Sequence, residues 1–278
     1  MNLYGRSAKV LMSALIFLAM GNISQADAKE NKAQDNKDIE RAIVRYRAGI
    51  EANPNNPETR IKLANKYILT GHMQGAIEQF EKAAKIAPTK SEPYLGMARV
   101  YAIQKNDKEA LKALKEAVLR DPNNADIHYK VGQAYYKMNK LDDSIKAYRK
   151  SISLKTTNAK VHRDLGAALG LKGQIDDEIF EEKKAIELDS NCADAYYYLA
   201  EAYLAKNDVK QAKVALEKCI KIDNSNASAY RLLAGVNASM GQFQQAETYA
   251  KKAVALMPDN PAFKKTLAKI QSKMASTR

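Results

Sequence analysis

The sequence predicts an all-α protein built as a row of antiparallel helix pairs, and three observations carry that expectation. The first is self-similarity. Pro54, Pro88, Pro122 and Pro258 are separated by 34, 34 and 136 residues, the last being four periods of 34, and a fixed period of this length marks stacked helix-pair units. Thr156, Ser190 and Asn224 fill the intervening positions, so the slot recurs without insertion or deletion. The second is composition: 46% apolar and 28% charged residues, with 7 prolines and no tryptophan among 278 residues, describe a folded chain rich in helix formers. The third is that no stretch alternates apolar and polar residues as a half-buried strand does.

Residues 1–28 differ from the remainder. Arg6 and Lys9 precede an 11-residue apolar run from Val10 to Met20, followed by the small-residue site Ala26-Asp27-Ala28. The run is too short to span a bilayer, and the three features together make a secretory signal peptide, cleaved after Ala28 or Ala26. No cysteine lies near that site, so a lipid-anchored mature terminus is not expected. Export, most simply to a periplasm and otherwise by secretion, follows from the signal alone. Residues 29–37 are polar and unpatterned and read as a flexible leader.

A helix is expected over 38–52 and another over 261–274, capping six repeats at 57–90, 91–124, 125–158, 159–192, 193–226 and 227–260. Each repeated column has a mechanical reason. Asn56, Asn124, Asn158, Asn226 and Asn260 open first helices by accepting from free backbone N–H groups, with Pro57 and Pro261 at the first helical position. Gly71, Asn139, Gly173, Asn207 and Gly241 tolerate the left-handed conformation that ends a first helix. Ala42, Ala76, Ala110, Ser144, Ala212 and Ala246 let two helices approach closely, and Tyr67, Tyr101, Tyr135 and Tyr203 form an aromatic column. Lys264, Lys265, Lys269 and Lys273 give the last helix the polar outer face that a terminal element needs.

These columns resemble the tetratricopeptide repeat (TPR) family, most clearly in Tyr94, Met97, Ala98, Tyr101, Ala110, Leu114 and Pro122, with further matches from Asp38 to the C-terminus. The resemblance, to exported bacterial TPR proteins, implies a right-handed superhelical solenoid of six TPR helix pairs with an extra helix at each end. It also implies a protein-binding scaffold or adaptor. In that family the face opposite the packing face of each first helix lines a concave groove for an extended peptide or partner helix. The residues so placed here are Ile61, Asn65, Ile68, Leu95, Arg99, Tyr129, Gln133, Tyr136, Arg163, Tyr197, Glu201, Leu204 and Arg231. Aromatics interleaved with arginine suit protein recognition. Two specialised uses of the family are not expected. The lysine-asparagine carboxylate clamp is missing, because Asn65 follows Ile61 and Arg99 follows Leu95. The asparagine ladder fails too, its column reading Lys62, Gly96, Lys130, Asp164, Tyr198 and Leu232.

No HExxH, GxSxG, GxxxxGK[ST] or dinucleotide glycine fingerprint occurs, so catalysis, cofactor and metal are not expected. His128 and His162 share one slot of neighbouring repeats, which favours packing over a metal pair. Cys192 stands where other repeats place the capping Asn, and Cys219 lies in the small column of Ala83, Ala117, Ala185 and Ala253. Antiparallel pairing puts both thiols at one end, where export would permit a disulfide, although Cys219 is expected to point at the next repeat.

The fourth repeat breaks the pattern, with Glu178 and Glu182 at packing slots. An unpaired buried carboxylate is costly, so this helix is expected to rotate, expose that edge or find Arg163 or Lys160 as partner. A hinge or partner contact is one reading, a degenerate repeat with its acids turned to solvent the other. The net charge is +13, and +12 without residues 1–28, which suits anionic partners; its even scatter favours plain solubility instead, the ordinary surface solution.

Taken together, the sequence reads as an exported scaffold for envelope assembly or secretion. An alternative is a non-catalytic accessory subunit of a cell-wall or polysaccharide-synthesising complex. Nucleic acid is an improbable client for an exported protein, and stable membrane insertion is not expected once the signal is removed. Asn226 and Asn237 lie in Asn-x-Ser sequons, which matter only in a eukaryotic host.

Overall fold

The computed structural model describes residues 34–276, and among them every regular element is helical. The signal-peptide segment 1–28 and leader residues 29–33 lie outside the described residues. Helix α1 covers 34–52, so the last four residues read as leader are helical. A side-chain bond explains the longer helix: Gln34 Nε2 donates to Asp38 Oδ1 one turn later, at 3.2 Å, and Asp38 also pairs with Arg41.

Six helix pairs follow: α2 (Pro57–Leu69) with α3 (Met73–Ile86), α4 (Glu92–Ile103) with α5 (Asp107–Arg120), α6 (Ala125–Lys137) with α7 (Leu141–Ser153), α8 (Ala159–Leu171) with α9 (Ile175–Leu188), α10 (Ala193–Ala205) with α11 (Val209–Ile222), and α12 (Ala227–Ser239) with α13 (Phe243–Leu256). Helix α14 (Pro261–Ser276) ends the row, with Phe263 and Ile270 buried and its lysines outward. The chain divides into two compact units, one through Arg120 and one from Asp121.

The turn after each first helix has a residue at positive φ, at positions 71, 105, 139, 173, 207 and 241. Five are the glycines and asparagines of the sequence column; the sixth is Lys105, at φ 58°, held there although its side chain disfavours the conformation. Capping asparagines open the first helices: Asn56, Asn124, Asn158, Asn226 and Asn260 each accept a backbone N–H through Oδ1. Such a cap is worth about 1 kcal/mol.

In the first unit, Arg47 of α1 donates from Nε to the Tyr67 hydroxyl of α2 at 3.0 Å, which ties the leading helix to the first pair. Phe80 of α3 lies over Gly96 of α4, where a β-carbon would collide with the ring. Arg120 closes the unit by donating to the Pro88 carbonyl and the Tyr94 hydroxyl while stacking on the Tyr94 ring at 4.2 Å.

In the second unit the core is a series of small local clusters. Tyr129, Ile145, Tyr148, Val161, Leu165, Ala168 and Leu169 form one; Leu199, Ala200, Ala212, Leu216, Cys219, Ala229 and Leu233 form the next. Consecutive pairs are also linked on the outside by two ion pairs one period apart, Lys172 with Asp142 and Lys206 with Asp176. Exposed pairs of this kind contribute little individually.

Both cysteines are free thiols, so the bond that export would permit is not formed. Cys219 is fully buried in the second cluster, and burial pushes its thiol up to about 12. Cys192 instead holds the N-cap position of α10, without a side-chain cap bond. Both sequons serve structure. Asn226 caps α12, and Asn237 is fully buried, donating to the Leu233 carbonyl at 2.8 Å.

Candidate partner-binding face

In the second unit the first helices crowd together: α6 touches α8, α8 touches α10 and α12 touches α14. No second helix there makes a comparable contact with the next second helix. The row of this unit therefore bends with its first helices inside. Within the first unit, α2 likewise touches α4.

The side chains predicted to line a groove divide by burial in each unit. Arg99 is exposed, and Ile61, Asn65, Leu95, Gln133, Tyr136, Arg163, Tyr197, Glu201, Leu204 and Arg231 are partly exposed. Ile68 and Tyr129 are corrections, being buried at 6% and 9% exposure. The Tyr129 ring joins the core beside Tyr148, with ring centres 5.8 Å apart, because α6 and α8 approach closely enough to cover it. It can support the face but cannot serve as a free anchor.

Hydrogen bonds join α6, α8 and α10 across this face. Tyr129 donates its hydroxyl to Asp164 Oδ2 at 2.8 Å, and Gln133 Nε2 donates to the same oxygen at 3.2 Å. Arg163 donates to Asp164 Oδ1 at 2.9 and 2.6 Å, and to Asp194 Oδ2 on α10 at 2.9 Å. Burial works against the Arg163 charge, but the bond to Asp164 and the charges of Asp164 and Asp194 outweigh it and raise its pKa further. Burial, then the Asp164 bond, pushes the Tyr129 hydroxyl far up, so it remains a donor. Further along, Tyr197 donates to Glu201 Oε1 at 2.9 Å, and Arg231 lies 5.8 Å from the centre of the Phe263 ring.

Asp164 is the hub that sequence reasoning missed. It stands in the column dismissed for lacking an asparagine ladder, yet it lies one period and one residue beyond Tyr129. That offset places it beside Tyr129 on the next first helix, which was the available signal. The histidines also gain specific roles. His128 Nε2 is 2.9 Å from the Pro122 carbonyl, and His162 Nδ1 is 2.7 Å from Glu181 Oε2. Among the described residues no group of three or more His, Cys, Asp or Glu side chains is placed to hold a metal ion.

The fourth pair contradicts all three expected fates of its acids. Glu178 is 6% exposed and Glu182 is fully buried, with neither Glu182 oxygen hydrogen-bonded. Arg163, the expected cation, is committed to Asp164 and Asp194. Helix α8 makes room instead: β-carbons on Gly166 and Gly170 would collide with the Glu182 and Glu178 carboxyls respectively. Burial, then the charge of Glu201, pushes Glu178 up to about 7. Burial, then Glu178, pushes Glu182 up to about 10.

Antiparallel helix pairs with a period of 34 residues, with first helices in contact within each unit, define a helical-repeat protein of the tetratricopeptide type. Residues 8–234 match the TPR family model described as Cilia and flagella-associated protein 70 C-terminal domain, and the chain belongs to that family. No curated protein matches the sequence. Three solved structures share the fold. The C-terminal part of a TPR repeat-containing protein from Cytophaga hutchinsonii has a TM-score of 0.67 at 22% identity, over 84% of this chain and 96% of that one. YrrB, described as a TPR protein with an unusual peptide-binding site, has a TM-score of 0.58 at 22% identity, over 66% and 95%. A chain of the APC/C hetero-tetramer Cut9-Hcn1 has a TM-score of 0.65 at 16% identity, over 84% of this chain and 46% of that one, so this chain spans about half its length. Among the described residues no helix is long and apolar enough to cross a membrane.

Proposed function

We propose that the inner face of the second unit holds an extended peptide or a partner helix, and that the protein is an exported adaptor or assembly scaffold. The observation that carries this reading is the network running from Tyr129 through Asp164 and Arg163 to Asp194. It fixes polar groups between partly exposed Tyr136 and Tyr197, and a surface whose rotamers are already locked loses less entropy on binding. Tetratricopeptide proteins in general bind proteins or peptides, and YrrB is described as having a peptide-binding site. Service in envelope assembly or secretion is supported by the export signature of residues 1–28.

The test is affinity capture from an envelope fraction, using protein whose N-terminus has been sequenced. The mature chain should begin at Lys29 or Asp27. A Tyr136→Ala, Tyr197→Ala variant, matched to wild type in thermal midpoint, should lose at least one captured protein. Identical capture by both forms would overturn the groove reading, and an intact Met1 would overturn export.

A further inference from the structure

On α8 the floor of the inner face drops directly over buried acid. At the position where α2, α6 and α10 carry Ile68, Tyr136 and Leu204, α8 carries Gly170, and where they carry Asn65, Gln133 and Glu201 it carries Ala167. Gly170 and Ala167 are partly exposed, and directly behind Gly170 lies the Glu178 carboxyl of α9. In those three pairs a first-helix side chain stands at this point; α12 is equally bare, with Gly235 and Ala238, but its second helix carries Ala246 and Ala250 where α9 carries Glu178 and Glu182, so only in pair four does the gap lie over acid. One turn deeper, Glu182 turns its carboxyl to the same glycine face of α8, fully buried and with both oxygens unsatisfied. Glu201 of the adjacent α10 lies near enough to act on Glu178 electrostatically.

A buried acceptor without a donor costs on the order of 1–3 kcal/mol, so this packing is a stored demand for a proton donor or a cation. Internal supply is poor, because the facing cation Arg163 is held by two aspartates. The chain as a whole is strongly basic, and the concentration of unpaired acid at this point runs against that background.

We propose that the fourth helix pair is a receptor for a basic side chain, a lysine or arginine of the peptide held on the inner face, entering over Ala167 and Gly170 to meet Glu178 with Glu201 at its flank and Glu182 behind. This rests on the groove reading and names the chemistry its client must carry. Lys and Arg are the side chains whose apolar stems can pass the gap while their charge reaches a recessed carboxylate. Charge complementarity also selects the occupant, since an acidic side chain would be repelled and an apolar one would leave the carboxyls unsatisfied.

The experiment is selection of phage-displayed random dodecapeptides on the mature protein, followed by affinity measurement on a selected peptide by fluorescence anisotropy. The selected set should share a Lys or Arg at one register position. Replacing it by norleucine should weaken binding about tenfold or more, as loss of a partly buried charge pair does. Glu178→Gln should weaken the parent peptide to a similar degree and have little further effect on the norleucine peptide. Both changes keep the groove tyrosines, and Glu178→Gln removes a buried acid, so folding should survive. Peptides that bind, compete with one another and depend on Tyr136 and Tyr197, yet share no basic position, would overturn the receptor and leave the groove standing. Peptides insensitive to the Tyr136→Ala, Tyr197→Ala variant would overturn both.

Discussion

The third and fourth helix pairs use the same device for opposite chemistries. In each, a glycine on the first helix, Gly132 or Gly166, vacates space for a large side chain from the second. Pair three fills it with the Tyr148 ring, 1% exposed, and Ser144 donates its hydroxyl to the Gly132 carbonyl at 2.9 Å. Pair four fills the equivalent volume with the Glu182 carboxyl and puts Glu178 in the Ser144 slot, with no internal donor for Glu182. The difference teaches that the repeat constrains volume strictly and polarity loosely. Close packing must be satisfied at every interface, whereas an unsatisfied acid is tolerated where it can take a proton.

The largest expected effect tests the apolar side of that comparison. Tyr148→Ala should destabilise the protein by about 3–5 kcal/mol, read by chemical denaturation, because it empties a closed site that Gly132 cannot refill. Glu182→Ala should cost far less, since the cavity it leaves is offset by removal of an orphaned acid. Equal losses would mean that the acid is as well accommodated as the ring.

The next effect tests the charge. The folded-state values of Glu178, about 7, and Glu182, about 10, lie above the ordinary glutamate value of 4.5. The folded state therefore binds more protons than the unfolded state, and stability must fall as pH rises. The contribution is complete below about pH 4.5 and is lost as pH climbs through about 7 for Glu178 and about 10 for Glu182. A Glu178→Gln, Glu182→Gln variant should hold its stability better than wild type between pH 5 and pH 9, by several kcal/mol. Thermal midpoints against pH supply the comparison. Parallel curves would place both acids in solvent.

The smallest effect concerns what all pairs share. Lys105 adopts the left-handed turn that glycine or asparagine takes in the other five pairs. Lys105→Gly should raise stability by about 0.5–1 kcal/mol in urea unfolding, relief of strain being partly cancelled by a freer unfolded chain. A loss would show that the lysine side chain makes a contact worth more than the strain.

Much of the fold was legible from particular residues. The capping asparagines, the turn glycines and the buried small column of Ala76, Ala110, Ser144, Ala212 and Ala246 act where their period put them. The inner face was legible only in part. Helical period assigns a residue to a side of its own helix, but Tyr129 and Ile68 were covered by contacts that period does not encode. Asp164 was overlooked because its importance lies in what the neighbouring helix brings to it.

By itself the sequence determined the period, the caps and turns between helices and the packing columns, because these depend on local capping, backbone freedom and side-chain size repeated at one interval. Only the tertiary structure decided which tyrosines are core and which remain accessible, that Cys192 and Cys219 are free thiols, and that Glu178 and Glu182 are buried against Gly170 and Gly166. Those outcomes depend on the separation of atoms from different helices, and a glycine eight or sixteen residues away gives no local sign that it has cleared space for an acid.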